Sequence, residues 1–376
     1  MNKRIYLDNA ASTPVDKRVV EAMQPYWNKV FGNPGGIHLE ARMSKEALSN
    51  SRKKIAQHLQ VEASEIIFTS GGTESNNLAI VGFLNSLEKK GSLLDTHIIT
   101  SSIEHPSVLE IFKKYKDKGL EVDFVQVLGD GTLDLDDLGK KMKTNTSFVS
   151  IMYVNNEIGT IQPIKEISKI IKKINPGAVL HTDASQAPLF LNIRPESLGV
   201  DMMTIDAQKI YGPKGVGLLF KKRRLKISPV LIGGGQEDGL RPGTENIPLI
   251  VGLAESISIA CNEREALFNT ITNLRNYLIS RIENELPKVI LNSPKEKSVP
   301  NLVNITVPGK NSEMLTIKLD EAGIACGTRS ACLHNGEGSY VLEEISGEVR
   351  TGLRFGLGKD TTKKDIDHLL ETLKKS

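Results

Sequence analysis

Cysteine is scarce in this chain: three residues in 376, an odd number. That count builds no disulfide framework and fits a reducing compartment. An excess of either charge is also missing, since 48 Lys+Arg against 45 Asp+Glu leave a net charge of +3. A nucleic-acid binder would carry a larger or more clustered basic excess. The one short basic run, Lys221 to Arg224, follows an apolar strand and reads as a solvated turn. No apolar run approaches the ~18 residues of a membrane span, and the opening "MNKRIYLDNAASTP" has no apolar signal region. No repeat, no low-complexity tract and no Cys/His set with zinc spacing stands out. The expectation is a soluble, cytoplasmic protein. What is present is an ordinary globular mix, 39% hydrophobic and 25% charged, able to bury a full core. The length suggests two domains, at about 150 residues each.

Residues 15–30 and 44–60 carry apolar positions at helical spacing. Short β-branched runs then alternate with helical stretches. The runs are 65–70, 96–102, 147–154, 178–184, 201–207 and 216–222; helices are expected over about 73–90, from Pro106, and over 163–174. Apolar runs alternating with helices predict an α/β fold with a parallel or mixed sheet covered on both faces. Ligands bind such sheets at the carboxyl ends of the strands. From about 245 to 290 the pattern is helical, followed by a strand over 302–307, a helix over 312–322, a strand near 349–355 and a helix over 362–374. This predicts a large domain, 15–255, and a smaller α+β domain from 1–14 and 256–376.

Five of the strand ends carry polar clusters. In "TSGGTESNN", Gly71 and Gly72 let the backbone approach a ligand closely, and the amides opening the next helix favour an anion. Alone, this reads equally as a turn and as a phosphate cradle, and its spacing matches neither a Walker motif nor a dinucleotide fingerprint. His105 precedes a helix-starting proline; Asn155, Asn156 and Glu157 follow a third strand; Asp183 and Gln186 follow a fourth. Each singly could be a cap or a surface residue. Their joint placement at one sheet edge weakens that alternative. Lys209 ends a fifth strand, and a lysine in a partly dry site can form a Schiff base. With a phosphate turn, an Asp for a pyridine nitrogen and a His to stack on a ring, it looks like a pyridoxal phosphate lysine. Cys332 lies in a polar, glycine-bearing stretch, unlike a buried structural cysteine. Cys261 fits a buried helix. Cys326 reads as packing, with a redox partnership to Cys332 left open.

The pattern resembles the NifS/IscS-type cysteine desulfurases, relatives of the class-V aminotransferases with the fold-type I pyridoxal phosphate architecture. The motifs that carry it run from "YLDNAASTP" through "FGNPGGIH", "TSGGTESNNLAI", "EHPSVLE", "VNNEIGTIQPI", "HTDASQA", "KIYGPKGVG", "GGGQEDGLRPGTEN" and "SAC" to "RFGLGKDTTKKDID". The resemblance implies that Lys209 holds pyridoxal 5'-phosphate, His105 stacks on its ring and Asp183 stabilises the protonated ring nitrogen. Asn155 and Gln186 would bond the ring hydroxyl oxygen. Gly72, Thr73 and Gln208 would bind the phosphate, helped by Thr244 from the other subunit of a homodimer. Asn33, Asn155 and Arg354 would hold the substrate, the guanidinium suiting its carboxylate. Cys332 would take sulfur from L-cysteine, leaving L-alanine, and pass it as a persulfide to an acceptor such as an iron–sulfur scaffold or a tRNA-thiolation carrier. Six residues separate Cys332 from Ser339, as in the longer-loop subgroup, and the "RxGHHC" pattern of the SufS-like subgroup is absent.

Three positions depart from the family. Where it has Ser-x-His-Lys, this chain has Asp206, Ala207, Gln208, Lys209. Gln208 can still donate from its amide, whereas an ionised Asp206 facing the phosphate would repel it, so it is expected to turn away or be protonated. Arg329 stands near Cys332 where a glycine is common; it would lower the thiol pKa or face solvent. The same motifs serve selenocysteine lyases, and the altered phosphate motif admits a non-catalytic relative acting as a partner protein.

Overall fold

The computed structural model describes residues 4–328 and 338–375. Strand β1 (Ile5–Leu7) opens the chain. The central sheet follows: β2 (Ile66–Thr69), β3 (His97–Ser101), β4 (Glu121–Val125), β5 (Thr146–Ser150), β6 (Val179–Asp183), β7 (Met202–Asp206) and β8 (Gly217–Lys221). Its order over the described residues is β2-β8-β7-β6-β5-β3-β4. The strands from β7 to β4 are parallel neighbours, and β8 runs antiparallel to both β2 and β7. The sheet is therefore mixed, with β2, β3, β5, β6 and β7 all ending at one edge.

The strands read as continuous apolar runs because both faces are buried. Successive residues point to opposite sides: Ile98, Phe148, Val179, Met202 and Leu219 enter one core with Leu78, Val108 and Phe112 of the helices Gly72–Glu88 and Pro106–Asp117. Ile99, Val149, Leu180, Met203 and Leu218 enter the other with Ile55, Ile167 and Leu253. These last come from the helices Leu39–Leu59, Ile164–Ile174 and Ile247–Glu285.

The remaining strands are β9 (Ile290–Leu291), β10 (Leu302–Thr306), β11 (Ile324–Cys326) and β12 (Leu353–Gly356). β10 pairs with β9 and β12, while β11 pairs with β1. The 39-residue helix Ile247–Glu285 runs straight through residue 255, where the sequence suggested a boundary. The helix expected over 15–30 is two helices, Lys17–Met23 and Pro25–Asn28, divided at a proline. Strands β1, β4, β9 and β11 were not expected; β4 alternates charged and apolar residues at the sheet edge, so it lacks the fully apolar run that marks its neighbours.

Candidate active site

The polar turns at the common sheet edge surround a cavity of about 210 Å³. After β2, Gly71 adopts φ 151°, a conformation L side chains rarely adopt. Behind it, a Cβ on Gly217 would stand 2.8 Å from the Gly71 backbone, so β8 approaches that turn too closely for any side chain. Gly71 caps the helix Gly72–Glu88 without a side-chain hydrogen bond, and Gly72 and Thr73 line the cavity. The helix thus presents its first turn to the cavity, a place favouring an anion.

Asp183 ends β6. Its Oδ1 accepts from Ser185 N (3.0 Å) and Ser185 Oγ (2.6 Å), and its Oδ2 accepts from Asn76 Nδ2 (2.8 Å). Asn76 also donates to Ser107 Oγ, which lies 2.8 Å from His105 Nδ1. The Ser107 amide donates to that same Nδ1, so Nδ1 is an acceptor and a neutral ring carries its proton on Nε2. Burial pushes the His105 pKa down; Lys209 and Arg354 act the same way, against Asp183 and Asp206. Sequence reasoning missed Asn76 and Ser107, since both sit inside stretches that read simply as helix.

Lys209 lies in the turn after β7, and its Nζ donates to Ala10 O (3.0 Å) and Ala11 O (2.7 Å). Burial lowers its pKa, partly offset by Asp206. Gln186 Nε2 reaches the same Ala10 carbonyl at 2.9 Å. Arg354 on β12 is buried; its Nη2 donates to Asp8 Oδ1 (3.0 Å), its Nη1 to Asn156 O (3.1 Å), and its Nε has no hydrogen-bond partner among the described residues. Lys209, His105, Asp183, Gln186, Gln208, Gly72, Thr73 and Arg354 therefore share one cavity.

The other candidates lie elsewhere. Asn155 is fully buried and does not line the cavity; its Oδ1 accepts from Glu157 N and Ile158 N, and its Nδ2 donates to Ile103 O. Its neighbour Asn156 lines the cavity instead. Asn33 and Thr244 are exposed and outside it. Cys332 and Arg329 lie outside the described residues. Cys326 is buried, with its thiol pushed up to about 11 by burial, and Cys261 is half-buried and also raised. Among the described residues, no His/Cys/Asp/Glu group could hold a metal, and no helix is long and apolar enough to cross a membrane.

A model of the aminotransferase class-V family matches residues 5–369. The chain is 41% identical over 379 residues to the cysteine desulfurase IscS of Dictyoglomus turgidum, covering 100% of this chain and 95% of that protein. Among solved structures, a NifS-like protein superposes with a TM-score of 0.92 at 34% identity, covering 99% of this chain and 98% of that one. A structure of SspA in complex with cysteine gives 0.79 at 32% identity, covering 94% and 98%. The chain belongs to the class-V aminotransferases, in the cysteine desulfurase branch.

This family depends on pyridoxal phosphate, and two acidic residues shape this desulfurase's site. Asp206 does not turn away: it lines the cavity, and Gln208 Nε2 donates to its Oδ2 at 3.0 Å. Beneath His105, Glu104 is wholly buried. Its Oε1 accepts from Ser101 Oγ (2.7 Å) and Met152 N (2.8 Å), and burial raises its pKa to about 8. The same strand ends hold residues just past the Cys332 stretch. Ser339 Oγ donates to Glu157 Oε2 at 2.5 Å, and Tyr340 OH donates to the Glu104 carbonyl at 2.5 Å.

Proposed function

We propose that Lys209, His105 and Cys332 carry out desulfuration of L-cysteine in this chain, on pyridoxal 5'-phosphate held in the cavity at the sheet edge. The observation that carries this reading is the gathering of a partly desolvated lysine, a buried aspartate, a neutral histidine and a helix N-terminus around one cavity. These residues fit the cofactor. Asp183 is a carboxylate for its ring nitrogen, His105 a flat ring to stack, and Gln186 a donor to its hydroxyl oxygen; Asn155 joins them if its amide leaves the turn it now caps. Gly72, Thr73 and Gln208 serve the phosphate. When bound, pyridoxal phosphate supplies an aldehyde for amines and a ring that withdraws electrons from the substrate's Cα.

The rest is done by the protein. Arg354, whose guanidinium side chain lines the cavity, takes the substrate carboxylate; Asn33 assists. Lys209, once its amine is free, removes the Cα proton, a task for which a lowered pKa suits it. The Cys332 thiolate attacks the substrate sulfur. An S–S bond forms, the Cβ–S bond breaks with its electron pair staying on Cβ, and a proton delivered to Cβ together with the one Lys209 returns to Cα completes L-alanine. The sulfur leaves on Cys332 as a persulfide, bound for an iron–sulfur scaffold or a tRNA-thiolation carrier in a reducing cytoplasm that keeps the thiol free.

We also propose a homodimer in which Thr244 completes the phosphate site of the other copy. Thr244 and Asn33 are exposed and stand outside their own cavity, and the apolar residues Phe31 and Ile37, close to Asn33 in the chain, are exposed as well.

The test is Cys332→Ala beside Lys209→Ala. Cys332→Ala keeps the cofactor's near-visible absorbance and loses sulfide release, while mass spectrometry of the wild type after a cysteine pulse finds the added sulfur on Cys332. Added sulfur on Cys326 alone, with Cys332→Ala fully active, would reject the assignment.

A further inference from the structure

Asp206 ends β7 and is 6% exposed. A Cβ built on Gly72 would stand 3.3 Å from Asp206 Oδ2, so the carboxylate lies against the opening of the helix Gly72–Glu88. The groups facing it come from three other turns and its own: Gly72 and Thr73 from the helix, Ser185 after β6, His105 after β3, and Gln208 and Lys209. Gln208 donates to it twice, from N (3.3 Å) and Nε2 (3.0 Å). Among the described residues, no lysine or arginine forms an ion pair with it. Glu74, in the first turn of that helix, is already engaged by Arg241 and Ser70 N.

A helix N-terminus attracts one anion, and here a carboxylate stands at that place. A phosphomonoester, with a second pKa of about 6, arrives mainly as a dianion at pH 8. Two such anions in a partly dry cup favour a state that shares a proton. We propose that Asp206 makes capture of the cofactor phosphate proton-coupled, the phosphoester entering the cup together with one proton from solvent. The proton resides on the phosphate or on Asp206, and no other bond changes. This rests on the reading of the cavity as the pyridoxal phosphate site. It makes Asp206 the residue that sets how strongly this chain's cofactor affinity depends on pH.

The probe is pyridoxamine 5'-phosphate, whose amine replaces the aldehyde and cannot condense with Lys209. Its Kd is measured by titration calorimetry from pH 7 to 9, on the full chain freed of cofactor, for wild type, Asp206→Asn and Asp206→Ser. The ratio of wild-type to Asp206→Asn Kd should rise about tenfold per pH unit, as linkage requires for one additional proton bound. Buffers of different ionisation enthalpy should report about one more proton taken up by wild type. Pyridoxamine, lacking the phosphate, should bind all three proteins alike. Parallel pH profiles, or weaker binding by both variants at pH 8, overturn the inference while leaving the cofactor site intact. So does failure of both variants to fold, which would make Asp206 structural. Wild type binding neither probe would overturn the cofactor reading itself.

Discussion

Glu104 sits directly before His105, yet its carboxyl points beneath the site rather than into the cavity. Burial raises its pKa from 4.5 to about 8, so the unfolded chain loses that proton first as the pH rises. The stability contributed by the neutral acid is full below about 4.5 and is lost as the pH climbs through about 8. Glu104→Gln should lack that slope, and urea unfolding at pH 5 and pH 8 should show wild type losing stability relative to the variant. Arg354 makes a different prediction. Arg354→Lys keeps the charge but loses the planar fork, so KM for cysteine should rise about 10–100-fold, with the cofactor absorbance retained. Both residues show what the sequence could convey. Lys209, Asp183 and His105 were legible because strand ends followed by turn chemistry mark a sheet edge. The direction of a short side chain was not: Asp206 could face the cup or leave it, and Asn155 could serve a ligand or, as here, cap its own turn.

At the scale of elements, the turn after β2 is the most demanding piece of backbone. Gly71→Ala would place a side chain at φ 151°, at a penalty of about 1–3 kcal/mol. Thermal melts should fall accordingly, and pyridoxal phosphate should bind more weakly because the same turn presents the helix N-terminus. The helix Tyr340–Ser346 offers a second test. Ser339 caps it, accepting from Leu342 N, and also donates to Glu157. Ser339→Ala removes both contacts. Loss of the cap is worth about 1 kcal/mol, and we expect slower persulfide formation on Cys332 with the cofactor spectrum unchanged. The sheet's parallel core was legible in its apolar runs. The antiparallel insertion of β8 was not, because an apolar run looks the same in either direction.

For the molecule as a whole, the exposed Thr244 motivates a complementation test. Mixed dimers of Lys209→Ala and Thr244→Ala subunits should hold one site with both defects and one with neither, restoring activity that neither homodimer has. Sedimentation of a fully active monomer would remove this role for Thr244. β1 pairs with β11, and Asp8 with Arg354, partners 346 residues apart. The residues assigned to the cofactor within one subunit, together with the carbonyls of Ala10 and Ala11 that hold Lys209, are all made by residue 209. The arginine assigned to the substrate comes much later. At about 5–20 residues per second, a growing chain spends roughly 7–30 s with its cofactor residues complete and its substrate clamp still unmade. The order of translation thus separates in time the synthesis of the two sets of residues, those assigned to the cofactor before the arginine assigned to the substrate.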